Sequence, residues 1–160
     1  MFTWKLIPNY EESPAAENML SLYFEIEFHQ KKMPDIIDID ELFSIVSEDG
    51  YIPVFTCSCG SFGCGGYYIR IFKKDKGLVL KNSYRPVENP AERDIISTFQ
   101  YEISWKELYA LLREVYEKCR EVRNAFPACG MCSGAYGKDI SKQMNQYELV
   151  LEEVEKKYRL

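Results

Sequence analysis

The sequence predicts an α+β fold: a mainly antiparallel β-sheet covered by a C-terminal antiparallel helical hairpin. Three observations predict it. Segments with strand-like alternation crowd the first two thirds of the chain. Two long segments with apolar residues at three-four spacing fill the last third. Glycine-rich turns separate neighbouring strands. At 160 residues the expectation is a single domain over residues 1–160, large enough to bury a core without disulfides.

Taken in order, Thr3–Ile7 is a short strand ended by Pro8, and Glu11–Met19 is a polar loop or a single helical turn. Leu22–Phe28 alternates, with Leu22, Phe24, Ile26 and Phe28 on one face and Tyr23, Glu25, Glu27 and His29 on the other, as a half-buried strand requires. Asp38–Val46 reads as a short helix capped by Asp38, with Ile39, Leu42, Phe43 and Val46 inward. Tyr51–Thr56, Tyr67–Phe72 and Leu78–Asn82 are strands. Asp75-Lys76-Gly77 joins the last two as a hairpin turn, with Gly77 expected to supply a positive φ. A loop over Ser83–Asp94 carries Pro86 and Pro90, and Ile95–Ile103 is a further strand.

Ser104-Trp105-Lys106-Glu107 then spells a capping box, in which the serine hydroxyl and the glutamate carboxylate each satisfy a free amide at a helix start. Trp105, Leu108, Leu112, Val115, Cys119 and Val122 follow as one apolar stripe, which places Cys119 in the core. Asn124–Gly137 breaks the helix. A second helix is expected from about Lys138 to Tyr158, with a stripe of Ile140, Met144, Tyr147, Leu151, Val154 and Tyr158.

The chemistry-bearing segment is Cys57-Ser58-Cys59-Gly60-Ser61-Phe62-Gly63-Cys64-Gly65-Gly66. On extended backbone Cys57 and Cys59 project to one face, and the glycines allow the chain to return Cys64 beside them. Zinc bound by sulfur takes four ligands in a tetrahedron at about 2.3 Å, and this run supplies three. Cys129-Gly130-Met131-Cys132, in a second glycine-rich break, is the natural complement, expected at the tip of the helical hairpin. The candidate metal ligands are therefore Cys57, Cys59, Cys64, Cys129 and Cys132, with zinc as the ion and a structural role for it. Two other readings stand beside this one. Free cysteine is among the most buried residue types and packs as a small hydrophobe. Alternatively, Cys129/Cys132 or the first cluster serves a thiol-dependent redox enzyme or sensor, which needs a thiolate stabilised by a helix N-terminus or a nearby cation.

His29, the only histidine, is the one base available to a nucleophilic mechanism, yet it closes the polar face of a strand. No phosphate-binding glycine motif leads into a helix. Glu11/Glu12 and Glu152/Glu153 read as solvated charges, and Lys73, Lys74, Lys76 and Lys81 as a solvated hairpin tip. The formal net charge is −5, which opposes nucleic-acid binding and suits a basic protein partner. No signal peptide or membrane-length apolar run is seen, so a cytoplasmic location with reduced thiols is expected. With no complete catalytic set, and twelve tyrosines to furnish a wet interface, the sequence points to a non-enzymatic protein that binds another protein.

The run C-x-C-G-x-x-G-C over Cys57–Cys64, followed by a strand, resembles small uncharacterised bacterial proteins with this turn between strands. The likeness spans Tyr51 to Leu80 and excludes Cys129 and Cys132. It implies a bacterial cytosolic origin and carries no activity.

Overall fold

A computed structural model describes residues 1–87 and 94–159. The chain is α+β, with antiparallel sheets and, among the described residues, three α-helices. The strands are β1 (Trp4–Ile7), β2 (Tyr10–Glu12), β3 (Met19–Leu22), β4 (Glu25–Phe28), β5 (Lys31–Lys32), β6 (Ile36–Ile37), β7 (Gly50–Thr56), β8 (Tyr67–Lys74), β9 (Gly77–Tyr84), β10 (Ile95–Ser104) and β11 (Gly130–Ser133). The helices are α1 (Ile39–Ser44), α2 (Trp105–Ala125) and α3 (Met144–Arg159).

Where one sheet is expected from the pattern, the strands form three. A five-stranded antiparallel sheet runs β10-β9-β8-β7-β6. A second, antiparallel, runs β1-β4-β5. The third, β11-β3-β2, is mixed: β11 pairs parallel to β3, and β2 antiparallel. The expected strand Leu22–Phe28 accordingly divides. The amide of Tyr23 donates to the carbonyl of Asn9 and the carbonyl of Phe24 accepts from Ile37, so the chain passes from one sheet to another between β3 and β4. The alternation holds across the break, with Leu22, Phe24, Ile26 and Phe28 all buried. Glu11, expected in a loop, lies on the exposed edge strand β2.

The inner face of the large sheet (Ile52, Val54, Phe55, Tyr67, Ile69, Ile71, Leu78, Leu80) joins the stripe of α2 (Leu108, Leu111, Leu112, Val115, Cys119, Val122) in the same core cluster. The capping box forms as expected: the Ser104 hydroxyl accepts from Glu107 N at 3.2 Å, and the Glu107 carboxylate accepts from Ser104 N at 3.0 Å. That carboxylate also accepts the amide of Phe2 at 2.9 Å, which ties the N-terminus to the start of α2. Asp38 caps α1 by accepting from Glu41 N at 3.1 Å.

The β8–β9 turn departs from expectation at Gly77. Its φ is not positive; instead a Cβ there would lie 1.9 Å from the carbonyl oxygen of Ile103. Close approach of β10, rather than turn geometry, excludes a side chain. Strand β9 runs on to Tyr84 into the expected loop Ser83–Asp94, and residues 88–93 of that loop, Pro90 among them, lie outside the described residues.

The connection from α2 to α3 is not the short irregular break that the sequence implies. It contains β11 and a 3-10 turn at Ser141–Gln143. Helix α3 starts at Met144 rather than Lys138 because the two residues at the expected start are engaged elsewhere. Lys138 Nζ pairs with Asp40 at 2.8 Å, and Asp139 accepts the amides of Met131 and Ser141. The helices touch where Tyr116 donates to Glu148 at 2.5 Å and where the rings of Tyr109 and Tyr158 meet at 5.4 Å.

Candidate metal centre

Strands β7 and β8 bring the segment 57–66 together as a compact loop. Gly60 N donates to Cys57 O at 2.9 Å, which closes the first turn. Gly66 N donates to the Asp35 carboxylate at 3.0 Å, which fixes the exit. Within this loop the sulfurs of Cys57, Cys59 and Cys64 all lie within 4.8 Å of one another, a spacing at which they can hold a metal ion. Cys57 and Cys59 are half-buried and Cys64 is exposed.

The surroundings favour sulfur as a ligand. The amide of Ser61 donates to Cys59 Sγ at 3.4 Å, and the thiols of Cys57 and Cys59 point at the carbonyl of Ser61. Hydrogen bonds from Cys57 and then from the Ser61 amide hold the Cys59 thiol below its ordinary range. Hydrogen bonding with Cys57 and then with Cys59 pushes the Cys64 thiol up to about 11. A cation among the three sulfurs would favour their thiolate forms.

The loop does not stand free. Ala135 N donates to Ser58 O at 2.9 Å and Tyr136 N to Cys59 O at 2.7 Å, so the turn after β11 docks onto the cysteine loop through its backbone. The two glycine-rich segments therefore meet, but their thiols are not brought together: Cys129 and Cys132 stand outside the three-sulfur group. Their motif is not a knuckle at a helical tip, because Cys132 belongs to strand β11 and Cys129 immediately precedes it. Cys132 is 1% exposed, and its thiol donates to Gly134 O at 3.2 Å and Leu20 O at 3.7 Å. Burial pushes its pKa up, so this sulfur is held as a neutral donor. Cys129 borders a separate cleft of about 650 Å³ lined also by Tyr10, Met19 and Phe126. Cys119 is fully buried on the α2 stripe, its thiol pushed up to about 12 by desolvation.

His29 is exposed. Its Nδ1 lies 3.3 Å from the Thr3 hydroxyl and its ring packs against Phe2 and Tyr101, with no cysteine among these contacts. Glu25, on the same face, forms an ion pair with Lys32. Lys74, Lys76 and Lys81 are exposed around the β8–β9 turn, and Glu152 and Glu153 on the outer side of α3.

Beside the loop lies a cluster of aromatic rings around Arg70 that the cysteine motif does not announce. Phe62 of the loop meets Tyr68 at 4.5 Å, ring to ring. Next along the outer face of β8, the Arg70 guanidinium sits 4.9 Å from the centre of the Tyr51 ring and 4.7 Å from that of Phe72. It also donates to the Tyr51 hydroxyl at 2.6 Å, and Tyr84 packs edge-on against Tyr51 at 5.0 Å. The alternation of β8 carried the signal, since Tyr68, Arg70 and Phe72 are its outward residues.

Among the described residues no helix is long and apolar enough to cross a membrane. No family model matches this chain, and neither a curated protein nor a solved structure is similar to it at a significant level.

Proposed function

We propose that this chain is a single-domain cytoplasmic binding protein of bacterial type whose cysteine loop is fixed by a zinc ion and whose partner is another protein. The observation that carries the metal reading is the mutual approach of Cys57, Cys59 and Cys64 within 4.8 Å on a loop of ten residues. Soft thiolates in this number select zinc and comparable thiophilic ions over hard cations. The ion's task is structural: it holds the loop in the shape that presents Phe62 beside Tyr68 and keeps Ser58 and Cys59 on the turn after β11. A protein partner is supported by the adjoining face, where Tyr51, Tyr68, Arg70, Phe72 and Tyr84 provide the residue types that dominate interface energetics. Arg70 and its register neighbour Lys81 lie on this face together with Glu102, which stands opposite Val79, so its charge is mixed.

The redox alternative draws less support. Cys132 is buried and held neutral, and it lies on a strand, with Cys129 just before it, rather than at a helix N-terminus. Metal analysis of the reduced protein, with thiols counted before and after chelation, tests the reading. One zinc per chain, with three thiols released by chelator, is the expected result. A metal-free protein whose three loop thiols react freely and unchanged by added zinc refutes it.

A further inference from the structure

We propose that the metal ion held by Cys57, Cys59 and Cys64 keeps an open fourth coordination position, and that this position takes a thiolate from outside the chain. The inference rests on the metal reading above and goes beyond it by naming the ligand through which the site engages its partner.

A closed structural zinc site has four protein ligands, whereas three protein ligands leave a position for an exogenous group. The chain has six cysteines and one histidine, all of them among the described residues. Three cysteines form the loop site. Cys119 is sealed in the core at 0% exposure, and Cys132, at 1%, is spent on Gly134 O and Leu20 O. Cys129 faces the Tyr10–Phe126 cleft, and His29 is packed on Phe2 and Tyr101. Among the described residues no carboxylate joins the sulfur group either. The position is also reachable. The loop's backbone is turned to the 135–136 segment through the carbonyls of Ser58 and Cys59, while Cys64 is exposed.

Sulfur is the donor that this position favours, because three thiolates make the ion soft. Phe62 and Tyr68 beside the loop provide apolar contact for the carbon skeleton of an incoming thiol, and Arg70 is a cation on the same face. On binding, the incoming thiol gives its proton to solvent, its sulfur forms the metal–sulfur bond, and the water in the fourth position leaves. No electron is transferred, and the loop thiolates stay in place.

Cobalt(II) loading of the full-length, reduced protein in thiol-free buffer provides the test, because cobalt reports the number of sulfur donors. The expected spectrum is tetrahedral with three sulfurs. Added glutathione raises the sulfur-to-cobalt charge-transfer intensity by about one third, as three donors become four, and shifts the ligand-field bands. S-methylglutathione does neither. A single-cysteine peptide that acts at lower concentration than glutathione assigns the source to a partner protein. A four-sulfur spectrum that grows with protein concentration, together with dimer mass, assigns it to a second copy. Cys129→Ser and Cys132→Ser leave the three-sulfur spectrum unchanged. A four-sulfur spectrum from the monomer without added thiol, or a three-sulfur spectrum indifferent to every thiol, overturns the open position while leaving metal binding intact. Absence of any tetrahedral cobalt spectrum refutes the metal reading itself.

Discussion

The amide of Tyr136 donates to the carbonyl of Cys59 at 2.7 Å, which joins a turn that follows β11 to the middle of the cysteine loop. With the Ala135–Ser58 bond at 2.9 Å it makes a two-rung backbone clasp between segments more than seventy residues apart in sequence. The clasp ties the loop to the rest of the fold through backbone bonds that involve no sulfur. It also makes the loop's stability a property of the tertiary fold.

Gly60 is where that clasp is most sensitive. Its φ is +81°, and a Cβ would lie 2.1 Å from Ser133 O and 2.8 Å from Gly137 N. Gly60→Ala is expected to cost at least ~1–3 kcal/mol from backbone strain alone, with the steric conflict in addition. Urea unfolding measures the loss, and zinc affinity should fall in the same variant because the loop can no longer seat. Wild-type stability in Gly60→Ala contradicts the clasp.

Zinc should act as a stabilising ligand of the folded state. At a hundredfold excess over its dissociation constant, the gain is about 2.7 kcal/mol, read as a rise in Tm that chelator reverses. Cys57→Ser, Cys59→Ser and Cys64→Ser should each abolish most of the rise, and Cys119→Ala none of it.

Thiol reactivity in the metal-free protein should not follow exposure. Cys59 is held low by Cys57 and Ser61, while Cys64, the most exposed, is pushed up to about 11. Since the thiolate is the nucleophile, Cys59 is expected to alkylate before Cys64 at neutral pH, with Cys119 unreactive. Peptide mass mapping after a brief alkylation pulse gives the order. Bound metal should protect all three loop thiols together.

Glu41 should lower stability at neutral pH. Burial, then repulsion from Asp38, Glu48 and Asp40, raises its pKa above the ordinary 4.5. The folded state therefore binds this proton more tightly than the unfolded chain, so this group's contribution improves as pH falls through the raised value toward 4.5. Glu41→Gln is expected to gain on the order of a few tenths of a kcal/mol at pH 7, small because the site is half-exposed and screened. The variant should also lose that part of the wild-type rise on mild acidification. An unchanged pH profile of unfolding would count against the repulsion.

Glu107 should work in the opposite direction. Burial alone would raise its pKa, but hydrogen bonds from the Ser104 amide and hydroxyl and from the Phe2 amide outweigh it and hold the carboxylate below its ordinary range. Its contribution is complete above the unfolded value and is lost as pH falls through the lowered folded value. Ser104→Ala is expected to cost about 1 kcal/mol. Glu107→Gln should flatten the acid limb of the stability curve and loosen the N-terminal residues, seen as faster amide exchange at Phe2.

Features that depend on neighbours within one turn or one strand are legible in the order of residues alone. The capping box at Ser104/Glu107, the Asp38 cap, the stripe of α2 and the alternation from Leu22 to Phe28 are set by local geometry, so their residue spacing names them. The approach of Cys57, Cys59 and Cys64 belongs to the same class, because only a few glycine-rich residues separate them. What tertiary structure decided are the long-range pairings. Strand β11 exists because Gly130–Ser133 finds β3 to lie against in parallel, and no propensity of Gly-Met-Cys-Ser announces that. Once paired, the strand carries Cys132 into the interior and away from the loop, while its following turn brings only backbone to Cys59. Gly77 is glycine because β10 passes over it, not because its own turn demands it. A side chain's periodicity states which way it faces along its own element, but which distant segment will face it is settled only when the whole chain has minimised exposed apolar surface and unpaired backbone at once.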